Sequence, residues 1–284
     1  MSKIITIPSS IEEIEKTKHL VDGFIIGIKD MSVNTNMLLE DLSILDSLRD
    51  KDIFISINKN MHNGDLPIVE KLLNELNNYD IKGVMYYDVA VLSIYKKLDL
   101  NYDLVWAQEH ASTNYNTINY WNSFDVKYTY ISNDITEEDV VTISKNCKAK
   151  LMVNLFGYLP MFVSKRHIVK NYLEYFDLKD ESSVNYIEKE DKIYPIIDNN
   201  IGTSVFSSNI LNGIKSYLNL DIEYTVLNSF GIELDKFIEV INLFKSVNKD
   251  NVLEYEEKIN NMFSNVDRGF LDKKTIYRVK KYDK

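Results

Sequence analysis

The sequence predicts an α/β fold, a TIM-like (β/α) barrel that carries a small antiparallel insertion between its seventh and eighth strands. Short β-rich runs alternate with amphipathic segments every roughly 20–25 residues, as the strand–helix units of a parallel sheet do. The chain has 284 residues, which suits one barrel, and 45% of them are hydrophobic, enough for a full core. We therefore expect residues 1–284 to form a single barrel-like domain, with 157–207 as its irregular or antiparallel insertion.

Eight runs are predicted to be strands because each is rich in β-branched or aromatic residues and is bounded by turn or helix signals. They are residues 3–8, 24–28, 53–57, 83–87, 103–108, 127–132, 149–154 and 221–228. A count of eight favours a closed barrel over an open sheet, although periodicity alone is compatible with both.

The segments between these strands are predicted to be helices. Ser9 or Ser10 can cap the first helix, because a serine hydroxyl accepts hydrogen bonds from the free amides of a first turn. Residues 36–49 place five leucines on one side, which predicts a helix there. Further helices are predicted at 66–76, 89–98, 115–124 and 136–145.

The alternation stops after the seventh strand. Residues 157–171 fit neither a clean helix nor a clean strand, whereas 183–206 contain β-rich runs that predict two or three antiparallel strands. A short helix at 208–218 is predicted before the eighth strand, and a last helix at 233–249 after it.

The chain is acidic, with a formal net charge of −10. An acidic surface repels phosphate backbones, so binding to nucleic acid would need a local basic patch or a basic partner. Two basic runs are candidates, although an ordinary solvated face explains the second one better. They are Lys165, Arg166, His167 and Lys170, and then Lys273, Lys274, Arg278, Lys280 and Lys281.

Cysteine usage and hydropathy limit the possible classes of function. Cys147 is the single cysteine, so the chain alone forms no disulfide and no cysteine-ligated metal site. We find no glycine-rich phosphate loop, no H-E-x-x-H and no G-x-S-x-G motif, and we expect no bound metal. Without an apolar run of 18 residues or a signal-like N-terminus, the chain is expected to be cytoplasmic and away from membranes.

Polar residues follow most of the predicted strands, and in a barrel these strand ends meet at one mouth. They include Lys29, Asp30, Asn58, Lys59, Asp88, Gln108, Glu109, His110, Asn133, Asp134, Asn154 and Asn228. We single out Gln108, Glu109 and His110 as candidate catalytic residues, because His110 could donate hydrogen bonds or exchange protons there. An ordinary polar loop is the alternative for His110. Asp30, Asp88, Glu109 and Asp134 could in principle supply a pair of acid and base carboxyls.

Five segments carry motifs that occur in the same order in one known family. They are 107–121 (AQEHASTNYNTINYW), 131–140 (ISNDITEEDV), 156–172 (FGYLPMFVSKRHIVKNY), 194–211 (YPIIDNNIGTSVFSSNIL) and 265–271 (NVDRGFL). Together they resemble the collagenase-like peptidase family. The resemblance implies that Asn114, in the first segment, binds substrate or phosphate. It also implies that Lys165, Arg166 and Lys170, in the third, bind phosphate or an anionic small molecule such as prephenate.

The third segment departs from the family pattern. Cysteine-bearing members carry His-Gly-x-x-Cys and then Ser-x-Arg-Cys, where this chain has Phe156, Pro160 and His167. The chain is similar to the short, cysteine-poor paralogue of low-GC Gram-positive bacteria. That resemblance implies a role in prephenate-dependent hydroxylation of tRNA uridine. A longer cysteine-bearing paralogue would be the partner and would hold any iron–sulfur cluster, because this chain lacks the thiolates for one.

Two other functions remain open at this point. The resemblance to the collagenase-like peptidase family also implies a peptidase, a collagenase-like hydrolase. The sequence, however, offers no convincing nucleophile, triad or zinc site. A noncatalytic binding or scaffold subunit would also fit the missing cysteines and the acidic composition. Whether the chain is itself an enzyme is therefore left open.

Overall fold

The structure is a computed structural model that describes residues 1–35, 37–108, 110–179 and 185–273. Its strands are β1 (Lys3–Ile7), β2 (Gly23–Ile28), β3 (Leu38–Leu39), β4 (Asp52–Ile57), β5 (Gly83–Tyr86), β6 (Asp103–Trp106), β7 (Tyr128–Tyr130), β8 (Lys150–Ser164), β9 (Asn185–Lys189), β10 (Lys192–Asn199), β11 (Gly202–Asn212), β12 (Tyr224–Asn228) and β13 (Val266–Asp267). Its helices are α1 (Ile11–Thr17), α2 (Leu66–Leu76), α3 (Val89–Tyr95), α4 (Tyr115–Asn122), α5 (Glu137–Asn146), α6 (Ile168–Tyr175), α7 (Ile214–Asn219), α8 (Leu234–Ser246) and α9 (Val252–Met262). Two 3-10 helices cover Leu42–Leu48 and Asn63–Asp65.

A closed parallel barrel forms the centre of the molecule. Strands β1, β2, β4, β5, β6, β7 and β8 pair in that order, and β12 pairs in parallel with both β1 and β8. These are the eight strands that the sequence predicts, and their closure confirms the TIM-like barrel over an open sheet.

The predicted helix at 36–49 is wrong. Leu38 and Leu39 instead form the short strand β3, which pairs in parallel with Gly27 and Ile28 of β2. The remaining leucines of that run, Leu42, Leu45 and Leu48, are buried on the 3-10 helix. Their spacing of three residues matches the repeat of a 3-10 helix, which places residues i and i+3 on one side.

The antiparallel insertion lies between the seventh and eighth barrel strands, as predicted. Strand β8 runs on through Ser164 and α6 begins at Ile168, so the prediction that residues 157–171 are neither a clean strand nor a clean helix is wrong except at 165–167. Strands β11, β10 and β9 then add to β8 in antiparallel order. The extension therefore carries an antiparallel sheet beyond the carboxyl ends of the barrel strands.

Two later helix boundaries also differ from the prediction. The helix predicted at 208–218 is confined to α7, because residues 210–212 continue β11 and pair with β8. The helix predicted at 233–249 is α8, and a further helix, α9, follows it that the sequence analysis does not identify.

The barrel interior is filled by its own apolar layer. Alternate residues point inward along each strand, because successive side chains of a strand lie on opposite faces. Phe54, Tyr128 and Tyr224 form an aromatic layer, with Phe54 edge-on to both tyrosines at centroid distances of 5.7 and 5.2 Å. Met152 and Val226 belong to the same interior cluster. The described interior residues therefore form a packed core below the mouth.

No helix in the described ranges is long and apolar enough to cross a lipid bilayer.

Candidate functional site

A cavity opens at the carboxyl ends of the barrel strands, the end at which barrels of this type bind their ligands. Its enclosed volume is about 40 Å³, and the empty space grows to about 450 Å³ where the cavity opens to solvent. Its apolar side is formed by Ile7, Ile25, Met85 and Ala107. None of the described residues that line it carries a charge.

The polar side of this mouth cavity comes from strand ends and the loops that follow them. Asn154 of β8 and Asn228 of β12 line it together with Ser56, Asn58 and Tyr130. In β8, Asn154 follows the inward-facing Met152 by two residues, so the pleat of the strand directs both side chains into the barrel. The strand alternation therefore places a neutral polar layer above the apolar interior.

Two of the mouth asparagines are held by hydrogen bonds within the protein. Asn58 accepts from the backbone amide of Val33 at 2.7 Å and donates to Asn34. Asn228 donates to the carbonyl of Tyr158 at 3.0 Å and accepts from the amide of Phe230 at 3.0 Å. These bonds fix both side chains and use much of their hydrogen-bonding capacity.

Asn154 differs from them. Its side chain is 3% exposed, and neither its amide nitrogen nor its amide oxygen has a hydrogen-bond partner among the described residues. A buried amide without partners costs free energy, so such a group calls for an explanation other than stability.

A glycine brings β8 and β12 together at the mouth. Gly157 has φ of 108°, and a Cβ there would lie 2.2 Å from the carbonyl oxygen of Asn228. Only glycine tolerates both the backbone conformation and the contact. Strand β8 can thus bend away towards the insertion just above Asn154.

The insertion covers one side of the mouth. At the turn between β10 and β11, Asn199 donates to the carbonyls of Ser32 and Val33 at 3.2 and 3.1 Å. Ser204 of β11 also donates to the carbonyl of Val33, at 3.3 Å. These bonds tie the antiparallel strands to the loop after β2, so the cavity opens on the remaining sides.

A second, wider groove adjoins the mouth cavity, because Pro160 lines both. It contains His110 and Asp134, whose Nδ1 and Oδ2 atoms lie 2.9 Å apart. Lys192 and Asp267 line the same groove. The structure thus brings together two of the predicted strand-end residues, His110 and Asp134.

The other candidate catalytic residues have different positions. The side-chain oxygen of Gln108 accepts from the backbone amide of His110 at 3.2 Å, which holds the turn after β6. Glu109 lies outside the described residues. Asp88 accepts from the amide of Ala90 at 2.9 Å and caps α3, while Asp30 accepts from Asn200 at 3.2 Å. Of the predicted carboxylates, Asp134 is the one that the structure pairs with a candidate base.

The residues predicted to bind substrate or phosphate do not line the mouth cavity. Asn114 caps α4, with its side-chain oxygen accepting from Thr117 at 2.9 Å. Lys165 and Arg166 are exposed just beyond β8. The pKa of Asp65 is lowered by the amide of His62 and by Lys59, and more weakly by the charge of Lys165. Lys165 therefore faces the loop after β4.

Lys170 lies in a separate groove with His167 and Asp198. The Nδ1 atom of His167 is 3.0 Å from one oxygen of Asp198, and the backbone amide of Lys170 donates to the other at 3.1 Å. This arrangement fixes the start of α6 on the insertion. Of the second basic run, Lys273 is within the described residues and the rest lie outside them.

The sequence offers Asn154 as one polar strand end among twelve and does not distinguish it from the others. It does not identify Thr35, Ser56 or Tyr130 as mouth residues. The alternation of inward and outward positions along β4, β7 and β8 is the signal that could have found Ser56, Tyr130 and Asn154. Thr35 lies in the loop after β2, where no such alternation applies.

The closed parallel barrel, its neutral polar mouth and its antiparallel insertion define a TIM-type (β/α) barrel protein. Residues 25–215 match the family model described as "Peptidase family U32", and the chain belongs to this family, the collagenase-like peptidases. It is also similar to the "tRNA hydroxylation protein P2" of Bacillus subtilis strain 168. The two are 24% identical over 249 residues, which cover 79% of this chain and 81% of that protein.

Solved structures with a related shape include a U32 peptidase, at 9% identity and a TM-score of 0.48. The match covers 80% of this chain and 92% of that one. Another is the tryptophan synthase A-subunit from Pyrococcus furiosus, at 12% identity and a TM-score of 0.42, with 91% of this chain and 98% of that one covered.

Proposed function

We propose that this chain takes part in the hydroxylation of tRNA, and more specifically in the prephenate-dependent hydroxylation of a tRNA uridine. The similarity to the tRNA hydroxylation protein of Bacillus subtilis carries the proposal, since it extends over 81% of that protein. The cavity at the mouth supports it, because it places uncharged polar and apolar groups at the carboxyl ends of the strands, where barrels of this type bind their ligands. In this role the chain acts in the cytoplasm, where it meets tRNA.

A cysteine-bearing paralogue is the partner in this proposal. Hydroxylation replaces a C–H bond with a C–OH group, which is a two-electron oxidation. It therefore requires an external oxidant, to which a redox centre such as an iron–sulfur cluster can relay the electrons. An iron–sulfur cluster needs several thiolates, and this chain has one cysteine, Cys147. The cluster would therefore reside in the paralogue, while this chain contributes binding groups.

An exposed apolar surface on the insertion fits such a partner. Helix α6 and the residues after it expose Tyr172, Tyr175 and Phe176, and the neighbouring strand β9 exposes Tyr186 and Ile187. The two elements adjoin, since α6 and β9 line one groove. Contiguous exposed aromatic and aliphatic residues are typical of protein–protein interaction sites. We call this surface the insertion patch.

The anionic components would meet the basic residues nearby. Lys165 and Arg166 are exposed beyond the end of β8, and Lys170 is exposed on α6. In the proposal they contact tRNA phosphates or a carboxylate of prephenate, which the uncharged mouth does not attract by charge.

A peptidase function has weaker support. Cys147 follows α5 and precedes β8, so it lies at the end of the barrel opposite the mouth and far from His110. Burial raises the pKa of its thiol, which lowers the fraction of reactive thiolate. The pair formed by His110 and Asp134 would need a separate nucleophile to act on a peptide.

Deleting the gene and measuring hydroxyuridine in tRNA by mass spectrometry tests the proposal. We expect the modified nucleoside to fall to background and to return when the gene is supplied on a plasmid. An unchanged level, in a strain without a redundant pathway, would contradict the proposed function.

A further inference from the structure

The buried amide of Asn154 is the starting point. Its nitrogen and oxygen are both without partners among the described residues, although the residue is 3% exposed and lines the mouth cavity. Unsatisfied buried groups of this kind are rare in folded proteins, because they lose their hydrogen bonds to water without replacement. A ligand that enters the cavity can supply both missing bonds.

The two free atoms define the shape of the group that fits. A primary amide presents one donor and one acceptor side by side in a plane. Its best complement is a planar edge that offers an acceptor next to a donor, as in a cyclic imide, where C=O and N–H point the same way. Two parallel hydrogen bonds then form, and discrimination of this kind is how asparagine reads base edges.

The surroundings favour a neutral, flat ligand. The described lining residues are uncharged, so they neither attract an anion nor neutralise one. Tyr130 and Met85 line the cavity together with Ile25, and these side chains offer aromatic and apolar surface for a ring. A nucleobase combines a flat apolar face with a polar edge, and uracil carries the imide edge.

We propose that the mouth cavity receives the uracil ring of the tRNA substrate, flipped out of its loop, and that Asn154 recognises its imide edge. The Asn154 nitrogen donates to a uracil carbonyl, and the Asn154 oxygen accepts from the N3–H group. This inference rests on the proposed function and identifies the residue that determines base specificity. Enzymes that act on a base commonly read it in this way, after taking it out of the stack.

Purified full-length protein gives the first test, using ligand-observed NMR with uridine and 3-methyluridine at millimolar concentrations. The methylated nucleoside keeps the ring but lacks the N3–H donor. We expect saturation transfer to uridine, and binding weaker by about tenfold or more for 3-methyluridine and for uridine with the Asn154→Leu variant. Equal signals in all three cases, or no uridine signal with the wild-type protein, would overturn the proposal.

Thermal unfolding of Asn154→Leu separates this role from a structural one. Leucine removes an unsatisfied buried amide, so Tm is expected to equal that of the wild type or to exceed it by a few degrees. A fall of several degrees would mean that the amide has structural partners in the folded chain, and it would count against the inference.

The deletion strain gives the cellular test. Supplied with Asn154→Leu, it is expected to contain at least about tenfold less hydroxyuridine than with the wild-type gene, at equal protein abundance. Full restoration by the variant would overturn the role of Asn154 while leaving the proposed function intact. If the wild-type gene itself has no effect on hydroxyuridine, the proposed function fails, and the NMR comparison alone decides whether the mouth binds uracil.

Discussion

At the scale of single residues, Asp52 shows how charge closes the bottom of the barrel, opposite the mouth. Its carboxylate accepts from Lys3 at 2.6 Å and from the hydroxyl of Tyr224 at 2.8 Å. Burial alone would raise the pKa of Asp52, but the hydrogen bonds from Lys3 and Tyr224 and the charge of Lys3 hold it below its usual value. The carboxylate therefore stabilises the fold in its ionised form.

The stability that Asp52 contributes is expected to depend on pH. Because its folded-state pKa lies below the unfolded value of about 3.9, its contribution is present above that pH and is lost as pH falls through the folded pKa. We expect Asp52→Asn to lower the free energy of unfolding by about 1 kcal/mol at pH 7, and the difference to narrow below about pH 4.

Urea unfolding from pH 7 to pH 3 measures this difference. Asp50→Asn is the matched control, since the Asp50 side chain is 75% exposed and its loss should change stability by less than about 0.5 kcal/mol. A wild-type-to-variant difference for Asp52→Asn that stays constant over the whole range would contradict the account.

At the scale of elements, the insertion places a sheet edge and a helix outside the barrel. Among the described strands β9 pairs with β10 alone, and α6 packs beside it. The insertion patch on these two elements exposes aromatic side chains, with Tyr175 83% exposed. When a partner covers exposed aromatic residues of this kind, they contribute a large share of the binding free energy.

A charge introduced into the insertion patch is expected to release the proposed partner. We expect Tyr175→Glu to weaken copurification of the cysteine-bearing paralogue by about tenfold or more, because the carboxylate would be buried without a counter-charge. The control is Leu253→Glu on α9, an apolar residue that is 67% exposed but lies outside the patch. Equal recovery of the paralogue with both variants would argue against the patch as the interface.

The elements also show what sequence can predict. The eight barrel strands are predicted correctly because each contains a short, buried run of residues with strong β propensity. Such a run can be recognised from the local amino-acid composition alone. The segment at 36–49 was predicted wrongly because the pairing of Leu38 and Leu39 with β2 is a tertiary contact that overrides a helical leucine pattern.

The candidate site was harder to predict. Asn58, Asn154 and Asn228 all follow or end predicted strands, and their sequence contexts do not distinguish them. Asn58 is bonded by Val33 and Asn228 by Tyr158, and both of these partners are distant in sequence. Phe230, which also bonds Asn228, lies two residues away. Asn114, in contrast, is singled out from the sequence as a binding residue, but its side chain caps α4 instead.

At the scale of the whole molecule, the proposed function divides the work between two chains. This chain offers a neutral mouth and an acidic surface with a net charge of −10, so it has little general attraction for RNA. With one cysteine it cannot bind a cysteine-ligated cluster alone. The partner paralogue would therefore supply both the redox centre and additional affinity for tRNA.

The most direct measurement is reconstitution in a host from which its own tRNA uridine hydroxylation genes have been removed. The chain and its cysteine-bearing paralogue are expressed separately and together, and hydroxyuridine in total tRNA is quantified by mass spectrometry. If the proposed function is right, hydroxyuridine appears when both chains are present and stays at background with either one alone. Full hydroxylation with the paralogue alone, or with this chain alone, would contradict it.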